Sequence, residues 1–160
     1  MKIKNQKGFT IIELLVVISV IGLLASVVMV SLNAARDKAK LAKAKKDILT
    51  LSTAMLAYKG DVGELPSRGD LCSYCLDAQG KFNGSWTLVI DALTTNDGAN
   101  WQGPYLGGRI DLDPWGSYYG YDDNDCKGAG QNAESYLASA GPDKLGQTAD
   151  DYYVIILPAC

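Results

Sequence analysis

Few side chains in this sequence can do chemistry. It contains no histidine, which removes the commonest general base, proton shuttle and transition-metal ligand. Three groups of reactive or ligating residues remain. Glu13 is the only formal charge between Phe9 and Leu32, a run that reads FTIIELLVVISVIGLLASVVMVSL. An ionised carboxylate at membrane depth costs about 2.5–3.5 kcal/mol, so such a residue needs a partner or a function. Four cysteines stand at Cys72, Cys75, Cys126 and Cys160. Asp143, Asp150 and Asp151 cluster in the glycine-containing segment 139–151.

The cysteines are even in number and follow an apparent export signal, which favours disulfides over thiols. Of the three possible pairings, Cys72–Cys75 with Cys126–Cys160 is preferred, being a local pair and one that fastens the C-terminal residue; a four-thiolate zinc site is the alternative. The three aspartates have the chemistry of a hard-cation loop, since calcium takes six to eight oxygens from carboxylates and carbonyls. An ordinary polar turn explains Gly-Pro-Asp equally well. The second acidic run, Asp122 to Asp125, lacks an EF-hand pattern and reads as a solvated turn. An enzyme would have to rely on an aspartate pair or a reactive cysteine, and these acids fall in turns rather than in an apolar cleft pattern. No catalytic residues are expected.

The elements that carry these residues are legible from hydropathy. The run 9–32 is long enough to cross a bilayer as a helix and too long for a secretory signal peptide. Lys2, Lys4 and Lys7 precede it and are expected to stay cytoplasmic. Beyond Asn33 the helix becomes amphipathic: Leu41, Ala44, Ile48, Leu51, Met55 and Tyr58 form one stripe, while Lys38, Lys43, Lys45 and Asp47 are expected to face water. Gly60 is the expected terminator, giving a helix from about Thr10 to Lys59, on the order of 75 Å long. A short helix is expected at Trp86–Leu93, and strands at Tyr118–Tyr121, Ser135–Ser139 and Tyr152–Leu157.

At this point the residues meet a known family. Lys7-Gly8-Phe9-Thr10-x-x-Glu13, followed by the apolar helix, resembles the prepilin signature of type IV pilins and type II secretion pseudopilins. Trp101-x-Gly103-Pro104-Tyr105-Leu106 and Asp113-Pro114-Trp115-Gly116-x-x-Tyr119-x-Tyr121 resemble the major pseudopilin family. The resemblance implies that a prepilin peptidase cuts between Gly8 and Phe9 and methylates the new amine. A cut there places a positive amine one helical turn from Glu13, and the resemblance implies that Glu13 pairs with the Phe9 amine of a neighbouring subunit. Removing the leader also takes away three lysines, moving the formal charge from -3 to -6, so no specific nucleic-acid binding is expected. The resemblance further implies calcium at the C-terminal loop, with Asp143, Asp150 and Asp151 giving side-chain oxygens and Ala140, Leu145 and Thr148 giving carbonyls.

The expected fold is α+β, a long N-terminal helix packed on a small antiparallel sheet. Its segments are a leader (1–8), a transmembrane or filament-core helix (9–32), an amphipathic helical half (33–59) and a globular domain (60–160). The expected function is structural: a membrane-stored subunit that polymerises with itself and meets minor pilins or pseudopilins and an inner-membrane assembly platform. Its C-terminal domain lies outside the cytoplasm. An extended pilus, which the cysteines suit, is the alternative to a secretion pseudopilus, and an uncut membrane-anchored binding module is a further one. Many relatives carry a proline where this chain has Val30, so whether the helix melts there in a filament stays open.

Overall fold

The computed structural model describes residues 8–67, 78–82, 86–95, 98–122 and 134–158. The four cysteines, the leader lysines and Asp123 to Asp125 lie outside these residues. The chain divides into two compact units, Met1–Ala39 and Lys40–Cys160.

The first unit is helical from Ile11 onward, part of α1 (Ile11–Val62). Its large apolar side chains are exposed, from Ile11 and Ile12 to Val28 and Leu32. The helix runs unbroken through Gly22 and Val30. Ser19 and Ser26 donate their hydroxyls to the carbonyls of Leu15 and Leu23, at 2.8 and 2.7 Å, which removes two unpaired polar groups from an apolar surface.

In the second unit, the remainder of α1 supplies the floor of the core. Ala44, Ile48, Leu51, Met55 and Tyr58 are buried, as their three- and four-residue spacing requires. Leu41 departs from the expected stripe, being 40% exposed, one turn short of the first buried position. Asp47 departs in the other direction. Its carboxylate takes the Tyr119 hydroxyl at 3.1 Å as well as Lys43 Nζ at 2.6 Å, so it is not a solvated charge. Lys45 lies 5.1 Å from the centre of the Tyr152 ring, a cation–π contact rather than a free surface lysine.

Gly60 does not end the helix. α1 continues to Val62, and Gly63 is the residue that turns to φ +96° while its N–H caps the Lys59 carbonyl at 2.9 Å. A left-handed residue at this position is a common way to end a helix, and Gly63 takes that conformation without a Cβ penalty.

α2 (Trp86–Thr94) matches the expected short helix. It buries Trp86, Val89, Ile90, Ala92 and Leu93. Its last carbonyls would be orphaned, and the Trp101–Leu106 motif satisfies two of them. Trp101 Nε1 donates to Ala92 O at 2.9 Å, and the Tyr105 N–H donates to Leu93 O at 2.9 Å. Three strands complete the unit: β1 (Gly120–Asp122), β2 (Ser135–Ser139) and β3 (Tyr152–Leu157), antiparallel in the order β1-β2-β3. The first begins two residues later than its sequence pattern suggests, because Tyr118 pairs instead with Leu112 in an isolated bridge. Tyr119, Tyr121 and Leu137 join the α1 and α2 side chains in one core. This is the expected α+β architecture.

Candidate functional site

At the start of α1, Phe9 is 93% exposed and nothing crowds Gly8, so the Gly8–Phe9 bond is accessible. Glu13 is occupied within its own chain. Its Oε2 accepts from the Thr10 N–H at 2.9 Å and the Thr10 hydroxyl at 2.8 Å, while the Glu13 N–H lies 3.3 Å from Thr10 Oγ1. This is a capping box, two otherwise orphaned helix N–H groups satisfied reciprocally. The sequence carries the signal for it, a Thr-x-x-Glu before an apolar run. In the uncut chain the Phe9 amine does not exist, and Thr10 is the partner of Glu13. The following helix has a mean hydropathy of 2.8 over its most apolar 18-residue window, none of it buried, and is long and apolar enough to cross a membrane.

The C-terminal loop leaves β2 at Ser139 and returns at β3. It brings Asp150 and Asp151 together around Thr148. The Thr148 hydroxyl lies 2.8 Å from Asp150 Oδ1, 3.2 Å from Asp151 Oδ1 and 3.3 Å from the Leu145 carbonyl. One hydroxyl proton cannot serve three acceptors, and this all-oxygen set suits a hard cation. Asp143 is used differently: its Oδ1 accepts the Leu145 N–H at 2.8 Å, and its own N–H faces Asp150 Oδ2 at 3.3 Å. Among the described residues, no three carboxylates gather closely enough to share one ion. Ala140 is buried behind the loop.

The two neighbouring acids are electrostatically unlike. The Thr148 hydroxyl and the Asp143 N–H hold the Asp150 carboxyl below the usual carboxylate range. Burial pushes the Asp151 carboxyl up, against the N–H groups of Thr148 and Gln147 that favour its charge.

Behind the loop lies an arrangement that no local pattern announces. Asp113, from the Asp-Pro-Trp-Gly turn, is buried. Its Oδ1 accepts the N–H groups of Trp115 and Ser117 at 3.0 and 2.9 Å, and its Oδ2 accepts the hydroxyl of Ser139 at 2.7 Å. The loop's outer side rests on the segment before α2 through the Gly146 N–H, 2.9 Å from Gly80 O.

Comparison with known proteins agrees with both ends of the chain. Residues 3–29 match the prokaryotic N-terminal methylation motif, and residues 71–156 match the family type II secretion system (T2SS), protein G. The type II secretion system core protein G of Pectobacterium carotovorum subsp. carotovorum is 32% identical over 92% of this chain and 83% of that protein. That of Escherichia coli K12 is 33% identical over 92% of this chain and 89% of its own length. The crystal structure of the major pseudopilin from the type 2 secretion system of enterohaemorrhagic Escherichia coli aligns with a TM-score of 0.46 at 23% identity, covering 76% of this chain and 91% of that one. With the protein G model matched over more than half of its length and these relatives over nine-tenths, the chain belongs to the type II secretion system protein G family.

Proposed function

We propose that this chain is the non-enzymatic, structural major subunit of a secretion pseudopilus, stored in the inner membrane and polymerised through α1. The observation that carries this reading is the exposed apolar surface of α1 from Ile11 to Leu32, opening on a single carboxylate. Among the described residues nothing covers that surface, so bilayer and neighbouring helices are its natural surroundings. Prepilin peptidase cuts after Gly8 and methylates Phe9. The new amine offers Glu13 an ionic partner stronger than the neutral Thr10 donors, and pairing between neighbouring subunits sets the axial register. The globular unit lies on the periplasmic side, where it meets minor pseudopilins and the assembly platform.

Calcium belongs to the same proposal. Asp150 and Asp151, which already meet at Thr148, would hold it by their side chains, Asp143 would have to leave the Leu145 N–H to join them, and Ala140, Leu145 and Thr148 would give carbonyls. The crowding of three acceptors on the Thr148 hydroxyl supports this assignment. A bound divalent ion supplies positive charge that offsets repulsion among the three acids and orders the loop against β3.

The test is the intact mass of the protein extracted from membranes of cells with and without prepilin peptidase. A mass beginning at methylated Phe9, found only where the peptidase is present, is the expected result. Retention of residues 1–8 in both strains would overturn the filament reading and favour a plain membrane anchor.

A further inference from the structure

Anchoring α1 in a bilayer leaves one charged segment unexplained. Arg36, Lys38, Lys40, Lys43, Lys45 and Lys46 follow the apolar run closely, with Asp37 and Asp47 the acids among them. All six basic residues are exposed. We infer that this segment is a lipid-binding collar, which holds the anionic phosphate headgroups of the leaflet from which the apolar helix emerges. The inference rests on the membrane anchoring proposed above and adds a lipid class to it.

Most of these charges are uncompensated. Lys43 is paired with Asp47 at 2.6 Å, and Lys45 lies on the Tyr152 ring. Among the described residues, the side chains of Arg36, Lys38, Lys40 and Lys46 have neither an ionic nor a hydrogen-bond partner. Six basic residues after the span against three before it also run counter to the usual cytoplasmic excess, so ordinary topology does not account for them.

Their positions fit a headgroup layer. Arg36, Lys38 and Lys40 stand four, six and eight residues past Leu32, about 6–12 Å of helical rise. The polar zone outside the hydrocarbon is about 5–8 Å deep on each side, and charge acts about 8 Å further at physiological salt. Each Cα–Cβ bond leans toward the helix N-terminus, which turns these long side chains back toward the bilayer.

The distribution around the helix decides between a layer and a one-sided partner. Successive residues turn by about 100°, so Arg36 and Lys38 point to nearly opposite sides, as do Lys43 and Lys45. A docked protein reads one face of a helix, whereas a headgroup layer surrounds it. Residues 48–160 carry fifteen acidic against six basic residues, so an anionic surface repels the globular unit and attracts this segment alone.

The experiment uses the full-length chain. Flotation with phosphatidylcholine vesicles tests the anchor. Intact mass spectrometry of the chain in nonionic micelles, offered equal phosphatidylglycerol and phosphatidylcholine, then reads which lipid it retains. Phosphatidylglycerol should be preferred about fivefold or more, the factor that one basic side chain supplies near an anionic surface. Salt at about 1 M, where the Debye length is about 3 Å, should erase the preference. Arg36→Gln/Lys38→Gln should lose most of it; Lys40→Gln/Lys46→Gln, further from the span, should lose a smaller share and serves if the first variant does not accumulate. Lys59→Gln/Lys144→Gln removes equal charge from the globular unit and should change nothing. Equal retention of the two lipids by the unaltered chain, or the same loss in the Lys59 and Lys144 variant, overturns the collar. If Arg36→Gln/Lys38→Gln then also fails to form filaments, the segment serves the acidic unit of a second copy instead. Failure of the unaltered chain to float with the vesicles overturns the membrane reading itself.

Discussion

Tyr119 reaches across 72 positions of sequence to donate its hydroxyl to Asp47 at 3.1 Å, tying the strand region to the amphipathic half of α1. The ring is fully buried against Trp86, with centroids 5.5 Å apart. Burial, and then the charge of Asp47, push the phenol well above its ordinary value of 10.0. A group whose folded pKa is raised contributes stability that is complete below the unfolded pKa and lost as pH rises past it. Unfolding free energy should therefore decline above about pH 10, the ordinary phenol value.

Tyr119→Phe isolates that contribution. It should cost about 0.5–1.5 kcal/mol at neutral pH, the usual net worth of one hydrogen bond, and flatten the alkaline decline. Urea unfolding at pH 8 and pH 10.5, with and without the substitution, measures both. An identical alkaline slope in the two proteins would show that the bond is absent in solution.

A second prediction concerns close packing. A Cβ on Gly120 would lie 2.6–2.8 Å from three ring carbons of Phe82, and Phe82 is itself buried with Ala138 and Ala140. Gly120→Ala forces either the ring or β1 to move, at about 1–3 kcal/mol. Thermal unfolding should show the loss, and Phe82→Leu in the same chain should recover part of it by vacating the ring edge.

Sequence reading succeeded where one periodicity dominated. Trp86 to Leu93 sits at helical spacing, Ser135–Ser139 and Tyr152–Leu157 are β-branched or aromatic runs, and each forms the expected element. It failed where identical letters play different roles. Gly60 and Gly63 both look like terminators, but only Gly63 adopts the left-handed backbone. Asp47 looks like a surface charge and Asp113 like part of a turn motif, and both are claimed by residues far along the chain. The Asp113–Ser139 contact spans 26 residues and has no local signature at all. The capping box has a local signature, since Thr10 and Glu13 are three apart, and the same carboxylate in an apolar run also carries the signature of an assembly residue.

Chelation supplies a third prediction. Where calcium is 100-fold above its dissociation constant, binding stabilises the folded state by about 2.7 kcal/mol. Removing it should lower the melting temperature of the globular unit by several degrees, and Asp150→Asn should abolish the difference between calcium and chelator. A midpoint unchanged by chelator at micromolar calcium would sink the metal assignment.

The last prediction separates the two roles of Glu13. Glu13→Gln keeps a side-chain oxygen for the Thr10 N–H and hydroxyl, so the helix start and the accessible Gly8–Phe9 bond should survive. What it removes is the negative charge that a processed Phe9 amine would meet. Loss of an ionic partner within an apolar filament core leaves that amine uncompensated. The variant should therefore show the cleaved, methylated mass of the unaltered protein, yet fail to form filaments sedimentable from sheared cells. Thr10→Val is the converse control: it should weaken the helix start by about 1 kcal/mol and still assemble. Filaments formed normally by Glu13→Gln would show that the carboxylate serves the capping box alone.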